Sequence, residues 1–186
     1  MSLLEWFWFF TLYSMMGCLL EIAFARATRS RPDRKRTLFL PLCPVYGVGA
    51  CLCLLTAPLT KSNPALLFLT GAVVCTAAEY LTAVWYERVL GVAFWNYDGQ
   101  RGNLWGRVCL PFSAAWGALV LCLTYWIHPA VAGLVRAIPA PLFYFAAPLT
   151  LADLIVSGVM LRRTHDRACL RWYCRKRVPA ARVRNP

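Results

Sequence analysis

Three carboxylates, Glu21, Glu79 and Asp153, stand inside runs of otherwise apolar residues. An ionisable side chain in such a run costs about 2.5–3.5 kcal/mol to insert into hydrocarbon, so it marks a functional or pairing position. Each shares a helical face with small or polar side chains. Ser14 and Gly17 accompany Glu21, Cys75, Thr76, Thr82 and Tyr86 accompany Glu79, and Thr150 and Ser157 accompany Asp153. Residues three and four apart stack on one side of a helix, and a polar face of this kind turns toward other helices rather than lipid. Two carboxylates also suit acid–base work where burial or a like charge raises one of them. No nucleophile accompanies them. The sequence has no G-x-x-x-x-G-K-[ST], G-x-S-x-G or H-E-x-x-H, so it cannot hydrolyse ATP by the P-loop route.

The residues that could complete a site lie in two stretches. Residues 87–107 form a polar, aromatic connection with Trp95, Tyr97, Asn103, Trp105 and Arg107. Residues 41–49 hold Tyr46 among prolines and glycines. Together these predict one polar vestibule, with Arg107 and Asn103 neutralising or orienting Glu21 and Glu79. Plainer readings stand beside it. Glu21 and Glu79 equally suit pairing with Arg26, Arg107 or another loop arginine to fix helix packing. Asp153 reads better as a buried hydrogen-bond anchor than as a ligand group. Trp95, Tyr97 and Trp105 read as an interfacial aromatic belt, His128 as a polar end residue and His165 as a tail residue. No metal or cofactor is expected. The nine cysteines include no C-x-x-C, and six of them sit in apolar runs, where a thiol behaves as a small hydrophobe.

These side chains need helices to position them. Of the 186 residues, 60% are apolar and 15% charged; soluble domains run to about 45–50% and roughly 25%. Disordered, collagenous and soluble Rossmann-type chains are therefore excluded or disfavoured. Five apolar runs, at 6–25, 38–60, 65–86, 108–127 and 141–161, approach the ~20 residues that cross a ~30 Å hydrocarbon core. Barrel strands would be shorter and alternating. The sequence predicts an all-α polytopic membrane protein with five transmembrane helices. In the second run Pro41, Pro44, Gly47, Gly49 and Pro58 predict irregular first turns, tolerable only against a cavity or other protein. The first run has no basic leader segment and reads as a retained span, not a cleaved signal.

The net charge of +12 would suggest nucleic acid in a soluble protein. Here it sorts by loop. With five spans, segments 26–37, 87–107 and 162–186 share one side and hold all the basic residues except Lys61 and Arg136. The positive-inside rule then predicts an external N-terminus and a cytoplasmic C-terminus. The expected organisation is a five-helix membrane domain over 1–161 and a basic cytoplasmic tail over 162–186. Arginines interleaved with Leu170, Trp172 and Tyr173 suit either an interfacial helix on anionic lipid or a solvated tail. With Glu21 and Glu79 in the inner half of the membrane, the chemistry should open to the cytoplasm.

The order of these residues carries a resemblance. Gly17 and Glu21 are followed by a basic loop and by Pro41, Leu42, Cys43, Pro44, Val45, Tyr46, Gly47, Val48 and Gly49 in succession. Glu79 and Tyr80 come next, then Trp95, Asn96, Tyr97, Asn103, Gly106, Arg107, Val108, Cys109, Leu110, Trp116 and Gly117. From about residue 8 to residue 130 the chain resembles the CmpB-like family of bacterial membrane proteins labelled putative ABC-transporter type IV. The resemblance implies a small multi-pass inner-membrane permease, a separate ATPase subunit and association of several copies. It carries over the positions Glu21, Pro44, Tyr46, Gly47, Glu79, Trp95, Tyr97, Asn103, Arg107 and Trp116. The function expected is transport of a small-molecule or lipid substrate across the bilayer. The alternatives are a membrane enzyme acting on a lipid at the inner leaflet and a non-catalytic partner subunit.

Overall fold

A computed structural model describes residues 1–28 and 37–170. Within them the chain is helical, and no strand is present; only an isolated bridge joins Leu104 to Val108. Five helices follow in order. They are α1 (Leu3–Ala27), α2 (Pro44–Thr60), α3 (Pro64–Leu90), α4 (Leu110–Ala137) and α5 (Pro141–Thr164). Four of them, α1, α3, α4 and α5, are long and apolar enough to cross a membrane. The fifth, α2, has 17 residues, about 25 Å at 1.5 Å per residue, the lower limit for a span.

The second run thus divides. Its helix begins at Pro44, and residues 38–43 are irregular. Leu38, Leu42 and Cys43 are nevertheless buried. The irregular backbone is hydrogen-bonded to its neighbours: Cys43 N donates to the Ser14 carbonyl at 2.9 Å, and Phe39 N and Leu40 N donate to Asp153. Apolar surroundings demand such partners.

The fourth run is longer than the sequence reading of 108–127. Pro129 lacks a backbone N–H and clashes with the carbonyl four residues earlier, which argues for a helix end. Instead Leu123–Ile127 forms a π-helical turn. The wider ring accepts the proline, and the helix continues to Ala137. His128 is therefore not an end residue. Its Nδ1 lies 2.8 Å from the Tyr13 hydroxyl, with the Phe9 ring 5.1 Å away.

Close contacts fix the directions of the helices. Tyr46 meets Gly17, and Gly47 meets Ser14 and Phe10, so α1 and α2 are antiparallel. Gly71 against Val120 and Thr76 against Ser113 make α3 and α4 antiparallel. Phe7 meets Phe143 at one end, and Leu90 and Leu161 share a cluster at the other, so α5 runs with α1 and α3. The core between α1, α2, α3 and α4 includes Phe9, Tyr13, Cys53, Leu67, Cys75 and Val120. Glu21, Glu79 and Asp153 consequently lie toward one end of the bundle. Of the tail from Arg162, read as either an interfacial helix or a solvated segment, α5 takes in residues up to Thr164 and Arg167–Leu170 is a 3-10 turn; the rest lies outside the described residues.

Bare glycine surfaces let the backbones approach, as in other membrane helix pairs. A Cβ on Gly117 would stand 2.8 Å from the Phe68 carbonyl oxygen, which is backbone and cannot swing aside. Gly117→Val is expected to destabilise the protein by about 1–3 kcal/mol or more through overpacking. Thermal unfolding in detergent measures it, and a wild-type Tm would refute the crossing.

Candidate functional site

Glu21 sits one turn after Gly17 on α1. Because Gly17 has no side chain, the Tyr46 ring from α2 lies directly across it. That position brings the Tyr46 hydroxyl to Glu21, to which it donates at 2.6 Å. The Trp116 ring of α4 packs beside Tyr46 at 4.9 Å between centroids. Its indole N–H donates to Glu79 Oε2 at 2.8 Å. The other oxygen of Glu79 accepts from the Tyr97 hydroxyl, also at 2.8 Å. Glu79 is only 4% exposed. Hydrogen bonds to an ionised carboxylate contribute about 1.5–3 kcal/mol each, so these two donors offset much of the cost of its burial.

Tyr97 comes from the connection between α3 and α4, which must therefore be held in place. Tyr97 N donates to the Gly106 carbonyl, the ring packs on Phe112 at 4.8 Å, and Trp95 donates through its indole to the Arg107 carbonyl at 2.8 Å. Gly106, at φ 71, turns the chain back where a Cβ would strike the Asn96 side chain. Burial, and then the nearby Glu79 carboxylate, push the Tyr97 phenol above its ordinary pKa, so it stays protonated as a donor.

Glu21, Tyr46, Glu79, Trp95, Tyr97 and Trp116 all border one cavity of about 30 Å³. A cavity of ~10–15 Å³ already admits a water, so the space suits one or two water-sized guests rather than an open vestibule. Six of the eight residues expected from the sequence are thus brought together. Asn103 and Arg107 are not among those that line the cavity. The Asn103 side chain accepts from Gly106 N at 2.6 Å and staples the loop. The Arg107 guanidinium donates to Glu87 at 2.7 and 2.9 Å and lies 5.5 Å from the Tyr80 ring centre. The Glu87 hydrogen bond holds its pKa above the usual arginine value. Both side chains of this pair are half-buried and keep contact with solvent, at 24% and 32% exposure, and solvated ion pairs contribute little, so Arg107→Ala is expected to leave Tm close to that of the wild type. A fall as large as that of Gly117→Val would refute this.

Asp153 is the anchor that the sequence favoured. Its carboxylate accepts from Phe39 N at 3.0 Å, Leu40 N at 2.8 Å and the Ser157 hydroxyl at 2.8 Å. It fastens the segment that leads into α2 and hence into Tyr46. Sequence reasoning missed Phe112, Thr37 and Cys43 as cavity walls. Phe112 was within reach, because it precedes Trp116 by one helical turn. Thr37 and Cys43 carry no such periodic signal.

Chemically, the site sets two carboxylates, Glu79 buried and Glu21 half-buried, beside O–H and N–H donors of the bundle. It suits a cation, a hydrogen-bond donor or a proton. No group of three or more His, Cys, Asp or Glu able to hold a metal occurs among the described residues.

No curated protein and no solved structure gives a significant match to the chain. The sequence model of the family described as putative ABC-transporter type IV matches residues 8–160, which takes in α2, α3 and α4 whole, most of α1 and α5, and every residue of this site. Helices long and apolar enough for several membrane crossings agree with it, and the chain belongs to that transporter family of multi-pass membrane proteins.

Proposed function

We propose that this chain is the membrane-embedded subunit of a transporter, with its substrate site at Glu21 and Glu79. The observation that carries the reading is the convergence of two carboxylates, Tyr46, Tyr97 and Trp116 on one cavity from four helices and a loop. Buried ionisable groups that face a bundle interior are typical of transport pathways. The chain carries no P-loop, so a separate ATPase subunit supplies the energy, with the chain itself present in more than one copy. All five helices cross the inner membrane, α2 with the help of residues 38–43. The carboxylate end faces the cytoplasm, since Arg88, Arg101, Arg107, Arg162 and Arg163 belong to it while Lys61 and Arg136 belong to the other. The domain then comprises residues 1–161, and the basic tail over 162–186 stays in the cytoplasm.

The test uses membrane vesicles from cells that overproduce the chain with its native partners. They are energised with ATP, and both water-soluble compounds and lipids are followed across the membrane by mass spectrometry. ATP-dependent transfer that requires Glu79 is expected. Transfer that is identical with and without the chain overturns the reading.

A further inference from the structure

Outside the cavity, the surface between α1 and α4 is grooved. One groove of about 420 Å³ is bordered by Tyr13, Met16, Leu20, Tyr46, Leu119 and Leu123 among others. A second, of about 340 Å³, is bordered by Leu20, Glu21, Phe24, Phe112, Trp116 and Ala118 among others. They share Leu20, Tyr46, Trp116 and Leu119, so they form one trough along the helices. Tyr46 and Trp116 also border the carboxylate cavity, as does Glu21. The trough thus runs from apolar surface to the wall of the polar site. Leu19, Leu20 and Phe24 along its α1 edge are 59%, 40% and 49% exposed.

Its dimensions and chemistry select an occupant. From Tyr13 to Phe24 the trough follows α1 for about 16 Å at 1.5 Å per residue. That is about half of the ~30 Å hydrocarbon core, the depth that one acyl chain covers in one leaflet. The walls are mostly apolar along this length, and their one acid, Glu21, stands three residues short of Phe24. A carboxylate has several acceptor sites on its two oxygens, so a head that donates hydrogen bonds, as a primary ammonium does, suits the place where the trough meets Glu21. We propose that the α1–α4 trough holds an acyl chain of a membrane lipid with a primary ammonium head, and that the ammonium seats on Glu21. The lipid enters sideways from the bilayer, and the Tyr46–Trp116 pair stands between its head and Glu79. This rests on the transport reading and supplies its substrate class.

Native mass spectrometry of the purified full-length chain tests it. The protein is delipidated in detergent and offered equal amounts of dioleoyl phosphatidylethanolamine and dioleoyl phosphatidylglycerol. The ethanolamine lipid is expected to be retained about tenfold more, the ratio that a single charge-assisted hydrogen bond supports. Ala118→Trp fills the trough from its exposed side and should reduce retention about tenfold. Val73→Trp, on an exposed position of α3 away from the trough, should leave retention unchanged. Glu21→Gln should erase the headgroup preference while the acyl chain still binds. Equal retention of the two lipids overturns the proposal, as does Ala118→Trp binding like wild type or Val73→Trp losing as much. ATP-driven transfer of a water-soluble compound without headgroup preference overturns the lipid proposal and leaves the transport reading standing. Headgroup preference without ATP-driven transfer does the reverse.

Discussion

Glu79→Gln is expected to abolish ATP-driven transfer in vesicles while the protein still folds. The wild-type carboxylate accepts from Tyr97 at one oxygen and from Trp116 at the other. Glutamine keeps the shape and one acceptor oxygen. Its NH₂ group then confronts the second donor, and one buried hydrogen bond is lost. Leaving such a buried donor unsatisfied costs about 1–3 kcal/mol, a loss that a protein of ordinary stability, roughly 5–15 kcal/mol, survives. The negative charge disappears altogether, and with it the attraction for a cation or proton. Tyr97→Phe separates the two effects, because it removes one donor and keeps the charge; partial transfer is expected. Transfer rates are read alongside thermal unfolding of the same preparations. Full transfer by a folded Glu79→Gln protein would remove Glu79 from the proposed site.

Asp153→Ala should be the most damaging single change to stability. The carboxylate accepts from two backbone N–H groups and from Ser157, and it is 8% exposed. Alanine leaves the amides of Phe39 and Leu40 without this acceptor in apolar surroundings. Removing one side of a buried charged network costs about 3–5 kcal/mol. Asp153→Asn retains one acceptor and should fall between wild type and alanine. Unfolding in detergent gives the ranking, and a loss under ~1 kcal/mol for alanine would show that residues 38–43 are held by other means. Transfer should fall in proportion to the folded fraction, since Asp153 acts on the site only by seating the segment before Tyr46.

These two acids show how far local sequence reaches. Both stand out in the sequence for one reason, that a charge in an apolar run is costly wherever it is found. The same face that holds Glu79 also holds Tyr86, and that follows from helical spacing alone. Their different roles cannot be read locally. Asp153 meets backbone 113 and 114 positions away, and Glu79 meets an indole 37 positions away. No period links such residues. Arg107 illustrates the converse: composition made it the natural counterion for the membrane acids, yet the loop geometry gives it Glu87 instead.

The sequence by itself determined the helical, multi-pass membrane class, four of the apolar spans and the place of Glu21 and Glu79 toward one end of the bundle. These follow from hydropathy, spacing and charge cost, each of which acts within a few turns of helix. Tertiary structure alone decided the start of α2 at Pro44, the passage of α4 through Pro129 and the closure of the expected vestibule to about 30 Å³. Each of these depends on a partner supplied by distant chain: an acceptor for an unpaired amide, a glycine surface that admits a ring, or a donor that makes a buried carboxylate tolerable.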